Sequence, residues 1–487
     1  MKKTNLHTLK TTLSTLFSGT LCFGALCSGV LLAPGLLSGC GTSSGTPSPE
    51  IQMIAPESYS AGIADAPSRA ESVPSSKESG SDESASGESA DTPAALQPAD
   101  VGSTPQTPER PSQLTLLMVG DILLHTPVEE SALQADGTYN FDAIFAHTTD
   151  TIQAADVALV NQEVIIGGEA LGVSGYPAFN APYAIGDALA DAGFDIVCHA
   201  TNHALDKGAK GIVNCSSYWR DHHPEITVLG IHDADPYNAE LSPSDRPIYF
   251  YTKDDITVAI LNYTYGTNGI PLPADMPYAV ELLEEEQVTA DIRYAEEHAD
   301  FTVVCPHWGT EYLLSTDSMQ EKWTEIFLEN GVDLVLGTHP HVIEPIEWVE
   351  DPETGRRMLV YYSLGNFVNW TSGTGEGVSN RMVGGMAEVT LTKTDRTPAD
   401  GSGTHENSGT LENPATSESS DTVVISDYGI KAVVCHVTEG TDGVTVYPLA
   451  DYTGELAKQN AILSQAPDFS LDYCTGLCND VWGDAWH

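Results

Sequence analysis

Apolar runs of strand length recur along the chain, and most stop abruptly at a polar side chain. Leu114-Thr115-Leu116-Leu117-Met118-Val119-Gly120 ends in Asp121, Asp156 to Val160 ends in Asn161-Gln162-Glu163, and Phe194 to Cys198 ends in His199 and then Thr201-Asn202-His203. Phe301 to Cys305 leads into Pro306-His307, Val332 to Leu336 into Gly337-Thr338-His339-Pro340-His341, and Met358 to Tyr362 into Ser363-Leu364-Gly365-Asn366. Runs of this length without alternation are expected of strands buried on both faces. Between them the spacing is helical: Phe141 to Ala154, Tyr183 to Ala192, Gly208 to His222, an acidic stretch from about Tyr278 to His298, and Gln320 to Glu329. Ile248 to Thr264 has the pattern of a hairpin, and Ala387 to Thr392, Val423 to Val437 and Thr445 to Leu449 read as later strands. The tail beyond them is apolar in places but shows no period. Strands alternating with helices place a sheet between helix layers, and ligands of such sheets gather beyond the carboxyl ends of the strands.

The pattern also divides the chain. Lys2, Lys3 and Lys10 precede an apolar run from Leu13 to Leu37 that ends in Leu37-Ser38-Gly39-Cys40. Residues 1–40 therefore read as an export signal whose end resembles a bacterial lipobox, with Cys40 as the lipidated first residue of the mature protein. An uncleaved membrane anchor is the alternative, against which Pro34 and the glycines count. Residues 41–112 hold few bulky apolar side chains and cannot offset their ordering entropy, so a disordered Ser/Pro/Glu-rich tether is expected there. The folded domain is expected over 113–393, a disordered insertion over 394–422, and strands completing the fold, with a tail, over 423–487. On this reading the protein stands at the extracellular face of the bacterial cytoplasmic membrane, held by its lipid.

Asp and Glu number 69 against 20 Lys and Arg, a formal charge of −49. Such a chain has no footprint for nucleic acid and is repelled by an anionic surface. Cys198 and Cys305 lie in apolar strands as core thiols. Cys474 and Cys478 can close a small disulfide in an oxidising exterior or stay a free pair.

The polar strand ends supply Asp121, Glu163, Asn202, His307, His339 and His341. His339 and His341 are two residues apart, a spacing at which extended backbone sends both rings to the same side. A His-Pro-His can also be a polar turn, but four other strand ends carry donors of the same kind. Oxygen and nitrogen donors without thiolate suit Mn²⁺, Fe or Zn²⁺. There are more of them than one tetrahedral ion requires, so two divalent metal ions sharing a carboxylate are expected, a pair able to clamp a phosphoryl group.

Gly120-Asp121, Asn161-Gln162-Glu163, Thr201-Asn202-His203-Ala204-Leu205-Asp206, His307-Trp308-Gly309-Thr310-Glu311-Tyr312, Gly337-Thr338-His339-Pro340-His341 and Tyr362-Ser363-Leu364-Gly365-Asn366-Phe367 resemble, in order, the motifs of the CapA family of poly-γ-glutamate capsule synthesis proteins, which has a calcineurin-like metallophosphatase fold. The resemblance implies an α/β fold, a four-layer α/β/β/α metallophosphatase-like sandwich with a dinuclear site between the sheets. It assigns Asp121, Glu163 and His341 to one ion, and Glu163, Asn202, His307 and His339 to the other. His203 becomes the proton donor to a leaving group, oriented by Asp206, or else only a hydrogen-bonding neighbour of the ligands. The chain departs from the wider superfamily at Asp121-Ile122-Leu123, where an Asp-x-His is usual, and His125 lies one pleat too far to substitute. Trp308 and Tyr312 are expected to wall the pocket, and Asn366 to hydrogen-bond a ligating group or a turn. Arg381 reads as a surface ion pair or a contact to an anionic substrate.

Three functions follow. One is a surface-anchored protein in biosynthesis, export or anchoring of poly-γ-glutamate or a related anionic wall polymer, with synthase or export subunits as partners. The second is an extracellular metal-dependent hydrolase, phosphoesterase-like, with a phosphoester or anionic polymer as substrate. The third is a binding module with a vestigial metal site.

Overall fold

The computed structural model describes residues 112–237, 247–371, 373–394, 422–438 and 443–486. The export signal with Cys40, all but the last residue of the tether, and all but the ends of the 394–422 insertion lie outside them. The chain enters on β1 (Gln113–Ile122), passes two short helices, α1 (Thr126–Ala132) and α2 (Thr149–Ile152), and then alternates through β2 (Val157–Asn161), α3 (Ala184–Ala192), β3 (Ile196–Cys198), α4 (Gly208–His222) and β4 (Thr227–Leu229). A hairpin of β5 (Tyr249–Lys253) and β6 (Ile256–Thr264) is followed by α5 (Glu285–His298), β7 (Phe301–His307), α6 (Ser318–Asn330), β8 (Leu334–Leu336), β9 (Ile346–Glu350), β10 (Arg357–Tyr361) and β11 (Asn366–Val368). β12 (Val383–Thr394), β13 (Thr422–Val437), β14 (Val444–Pro448), α7 (Gly454–Gln459) and α8 (Leu471–Trp482) complete the order.

Two sheets result. In the first, β14-β13-β12-β1-β2-β3-β4, the strands β1 to β4 are parallel, β12 to β14 are antiparallel, and β11 adds to the end of β1. In the second, β5-β6-β7-β8-β10-β9, the four central strands are parallel and the edge strands antiparallel. Side-chain alternation along β6 shows how the layers stack. Ile256, Val258 and Ile260 join the core of the first sheet, whereas Ala259, Leu261 and Tyr263 pack with Val288 and Ile292 of α5 and Phe327 of α6. Ile185 and Leu189 of α3 and Ile212 and Trp219 of α4 enter the first sheet's core, whose strands β1 and β2 are buried nearly throughout. The molecule is the expected four-layer α/β/β/α sandwich, with both sheets' inner faces in one apolar core. Among the described residues no helix is long and apolar enough to cross a membrane.

Several elements differ from the sequence pattern, for local reasons. Phe141 to Ala154 is one 3₁₀ turn and the short α2, because the Thr148 and Thr149 hydroxyls both donate to the Phe145 carbonyl and compete with helical bonding. Residues 279–283 are not helical. Glu281 and Leu283 bond to the backbone of Gly230 and Thr264, so α5 starts only at Glu285. The tail contains α8, whose Cys474, Leu477, Cys478 and Trp482 enter the core. Cys474 and Cys478 are buried free thiols rather than a disulfide.

The parallel strands of both sheets deliver their carboxyl ends to one place, and close backbone contact holds them there. A Cβ at Gly337 would lie 2.1 Å from the Tyr362 carbonyl oxygen and 2.5 Å from Trp308 Nε1. Asp317 caps α6 by accepting from Met319 and Gln320, and the Gln320 side chain donates to Glu344, a buried carboxylate just past the histidine turn. Burial pushes Glu344 up to about 8, opposed by the Gln320 hydrogen bond.

Two outcomes follow for stability. Gly337→Ala should lower unfolding stability by about 3 kcal/mol or more, since backbone rather than a mobile side chain blocks the added methyl; a denaturation midpoint equal to wild type contradicts the packing. The raised Glu344 means that the folded chain holds a proton the unfolded chain releases near pH 4.5, so this group weakens stability as pH rises from about 4.5 to about 8. Glu344→Gln should therefore gain on wild type across that window and hold a constant advantage above it, read from unfolding curves at pH 5 and pH 8.5.

Candidate metal centre

Each strand that ends at the convergence contributes donors from its last residue or the turn after it. Asp121 sits near the end of β1, Glu163 two residues past β2, Asn202 and His203 in the turn after β3, and His307 at the end of β7. His339 and His341 lie in the turn after β8. All are buried: Asp121, Glu163 and His307 are 0% exposed and His203, the most open of them, 6%.

Glu163 is the unusual member. Neither carboxylate oxygen has a hydrogen-bond partner, although a buried charge without compensation costs several kcal/mol. What surrounds it is imidazole: Nε2 of His341 at 3.5 Å and Nε2 of His307 at 3.9 Å from Oε1. Donor atoms of Glu163, His339 and His341 all lie within 4.8 Å of one another, and Nδ1 of His339 also has no partner. A buried carboxylate and imidazole nitrogen, both open and mutually within reach, fit a divalent cation.

The two rings do not converge through extended backbone. His339 has φ +101° and His341 φ +61°, the left-handed region that side chains avoid. Such residues cost on the order of 1–3 kcal/mol each and gather at functional sites. Left-handed Tyr312, φ +67°, donates its backbone N–H to the carbonyl of Pro340, between the two histidines.

Other groups orient the donors. His341 Nδ1 is 3.0 Å from Asp121 Oδ2, which leaves Nε2 turned to Glu163. Asp121 Oδ1 accepts from the Asn161 amide, which lies 3.4 Å from His307 Nδ1. His307 Nε2 is 3.2 Å from Asn202 Oδ1 and its Nδ1 3.2 Å from Thr338 Oγ1. Asn366 donates through Nδ2 to the His341 carbonyl and to that of Arg381. Beside this group His203 Nδ1 is 2.7 Å from Asp206 Oδ2, which also accepts from the backbone of Phe179, while the Phe179 ring meets His203 edge-on at 4.6 Å.

Electrostatics follow from burial. Desolvation raises Glu163 well above the usual carboxylate range and lowers His307 and His339 well below the usual imidazole range, with neighbouring imidazoles adding to the fall. Burial lowers His341 too, but the adjacent Glu163 and Asp121 outweigh it and push it up to about 9.

Asp121, Glu163, Asn202, His307, His339 and His341 thus form one connected group, with the His203–Asp206 pair at its side. One expectation needs correction. Trp308 does not wall the pocket. It is wholly buried on the helix side of the second sheet with Phe327 and Tyr362, and donates to the Tyr362 carbonyl. His199 is a core residue that accepts from Trp219. The sequence pattern assigns no role to Asn161, Asn268 or Tyr265. Asn268 Nδ2 is 3.3 Å from His203 Nδ1, and the Tyr265 ring lies 4.7 Å from that of His339. Tyr265 follows the end of β6, so the strand-end rule applied to Thr264-Tyr265 finds it. Ile122 and Leu123 are buried apolar residues. Nearby His125 shares the edge of Phe179 and is driven to about 4 by burial, with His341, His203 and Arg381 adding to it.

Residues 115–371 match the family of the bacterial capsule synthesis protein PGA_cap. The chain is similar to the PGA biosynthesis protein CapA of Bacillus subtilis (strain 168), 30% identical over 196 residues, 38% of this chain and 45% of that one. It is 25% identical over 274 residues, 53% of this chain and 61% of that one, to the capsule biosynthesis protein CapA of Bacillus anthracis. The chain spans about half the length of these curated relatives. Among solved structures it is similar to the NAD nucleotidase NadN of Haemophilus influenzae, with a TM-score of 0.36 and 12% identity over 76% of this chain and 60% of that one. Motifs, fold and a match over more than half of its residues agree: the chain belongs to the bacterial capsule synthesis protein PGA_cap family.

Proposed function

We propose that this protein is a surface component of poly-γ-glutamate capsule biosynthesis that works through divalent metal ions bound at its buried centre. The observation that carries the reading is Glu163, a fully buried carboxylate with two open oxygens, one of them facing two imidazoles. Two open oxygens suit a carboxylate shared between two cations, Asp121 and His341 on one side, and Asn202, His307 and His339 on the other. Asp121 then also fixes His341 through Nδ1, an arrangement common behind metal-bound imidazole. The names of both Bacillus relatives support the capsule role. The lipid anchor at Cys40 and contact with synthase or export subunits belong to the same proposal.

A hydrolytic role for the centre is favoured by one further observation. The 2.7 Å contact of His203 Nδ1 with Asp206 fixes the ring, leaving Nε2 to hold or deliver a proton. Bound metal would supply Lewis acidity toward a phosphoryl or carbonyl oxygen. The chain's own part is to exclude water through burial, to orient the donors through Asn161, Thr338 and Asn366, and to present the His203 proton.

The ectodomain, stripped and reloaded with Mn²⁺, should retain metal in wild type and in His203→Ala but lose at least tenfold in affinity in Glu163→Gln. Metal analysis of dialysed protein reads this, and wild-type protein that retains no divalent ion sinks the proposal. With metal retained, His203→Ala should lower hydrolysis of an aryl phosphate by about 10²–10⁴-fold. A metal-loaded wild type without turnover, from cells that lose surface polymer when the gene is deleted, selects the capsule role without hydrolysis.

A further inference from the structure

Arg381 lies in the 3₁₀ turn Ser379–Met382, just before β12. It is a rare cation in a chain of formal charge −49, and among the described residues no carboxylate forms an ion pair with it. The guanidinium instead rests over the Tyr312 ring, 3.9 Å from its centroid, and the buried Nε has no hydrogen-bond partner. Both partners are tied to the histidine turn. The Arg381 carbonyl shares the Asn366 amide with the His341 carbonyl, Tyr312 bonds to the Pro340 carbonyl, and the Tyr312 ring lies 6.0 Å from that of His341. The positive charge also bears on half-buried His125 beside the centre.

We propose that Arg381, carried on Tyr312, is the group that recognises an oxyanion of the substrate at the mouth of the centre. A guanidinium carried over a ring is held by the cation–π contact and keeps its N–H edge, a planar fork of donors that matches a carboxylate or a phosphate. Tyr312 is 45% exposed and Arg381 is half-buried, which sets the pair at the surface rather than in the core. Exposed tyrosines extend the rim: Tyr265 beside His339, and Tyr176 against Phe179. In a protein whose net charge repels polyanions, a cation fixed to the ligand turn gives an anionic group a local reason to dock there. The inference deepens the proposed function by naming the substrate class, and the measurement separates the two.

The full chain, Mn²⁺-loaded and metal-stripped, is titrated calorimetrically with inorganic phosphate and with a γ-linked triglutamate, alongside Arg381→Gln and Arg381→Lys. Wild type should bind at least one probe. Arg381→Gln should weaken it about tenfold or more in both metal states at unchanged Mn²⁺ content and melting temperature, and Arg381→Lys, with charge but no fork, should recover only part. Phosphate alone marks a phosphoester as the source of the oxyanion, and the peptide alone a polymer carboxylate. Equal binding by Arg381→Gln and wild type, or no binding of either probe by wild type, overturns the proposal. Arginine-dependent binding in a protein that retains no Mn²⁺ supports it and overturns the metal reading instead.

Discussion

A carboxylate buried without a hydrogen bond is the constraint from which the rest of this site follows. Glu163 is wholly enclosed and both oxygens are open, a state that needs positive charge nearby if the carboxylate is ionised. The structure surrounds it with imidazoles from the end of β7 and the turn after β8, two of them on left-handed backbone that only surrounding contacts can hold. That strain is stored where strand ends meet. Gly337 admits the close approach of the Tyr362 carbonyl, Asn366 holds the His341 carbonyl, and Pro340 accepts from Tyr312.

The sandwich serves this constraint. Parallel strands in both sheets bring polar termini to one edge of a shared apolar core, and Asn262 joins the sheets beside the centre by accepting from Ala200 and donating to the Cys305 carbonyl. Segments far along the chain reinforce the histidine turn from outside. Gln320, at the cap of α6, donates to the Glu344 side chain, and Trp482 of α8 donates to the Glu344 carbonyl. The turn is braced from both sides, by a helix that precedes it and by one near the chain's end.

Most of the layer order was legible because strands buried on two faces leave uninterrupted apolar runs, and because Asp121, Glu163, Asn202, His307, His339 and His341 all stand where those runs stop. What escaped had a different cause in each case. α8 is amphipathic but short and follows irregular turns, so its Cys474 and Cys478 read as a disulfide or a free pair without their place in the core being visible. Residues 279–283 carried a helical composition, yet backbone partners at Gly230 and Thr264 took them into extended structure. The way the rings converge was also misjudged. Spacing alone suggested extended backbone, whereas left-handed residues turn His339 and His341 toward Glu163, and no pattern of apolar and polar positions encodes a positive φ. Trp308 follows His307 in one motif, but successive strand residues face opposite sides, which sends the indole to the helices and the imidazole to the centre.

Anomalous diffraction at the manganese edge from crystals grown with Mn²⁺ tests the central claim most directly. The account predicts a peak bonded to a Glu163 oxygen and to nitrogens of His339 or His341, at roughly the 2.0–2.2 Å typical of such ligands. A clear map with no peak there, Glu163 still without a partner and both histidines still left-handed, would contradict it.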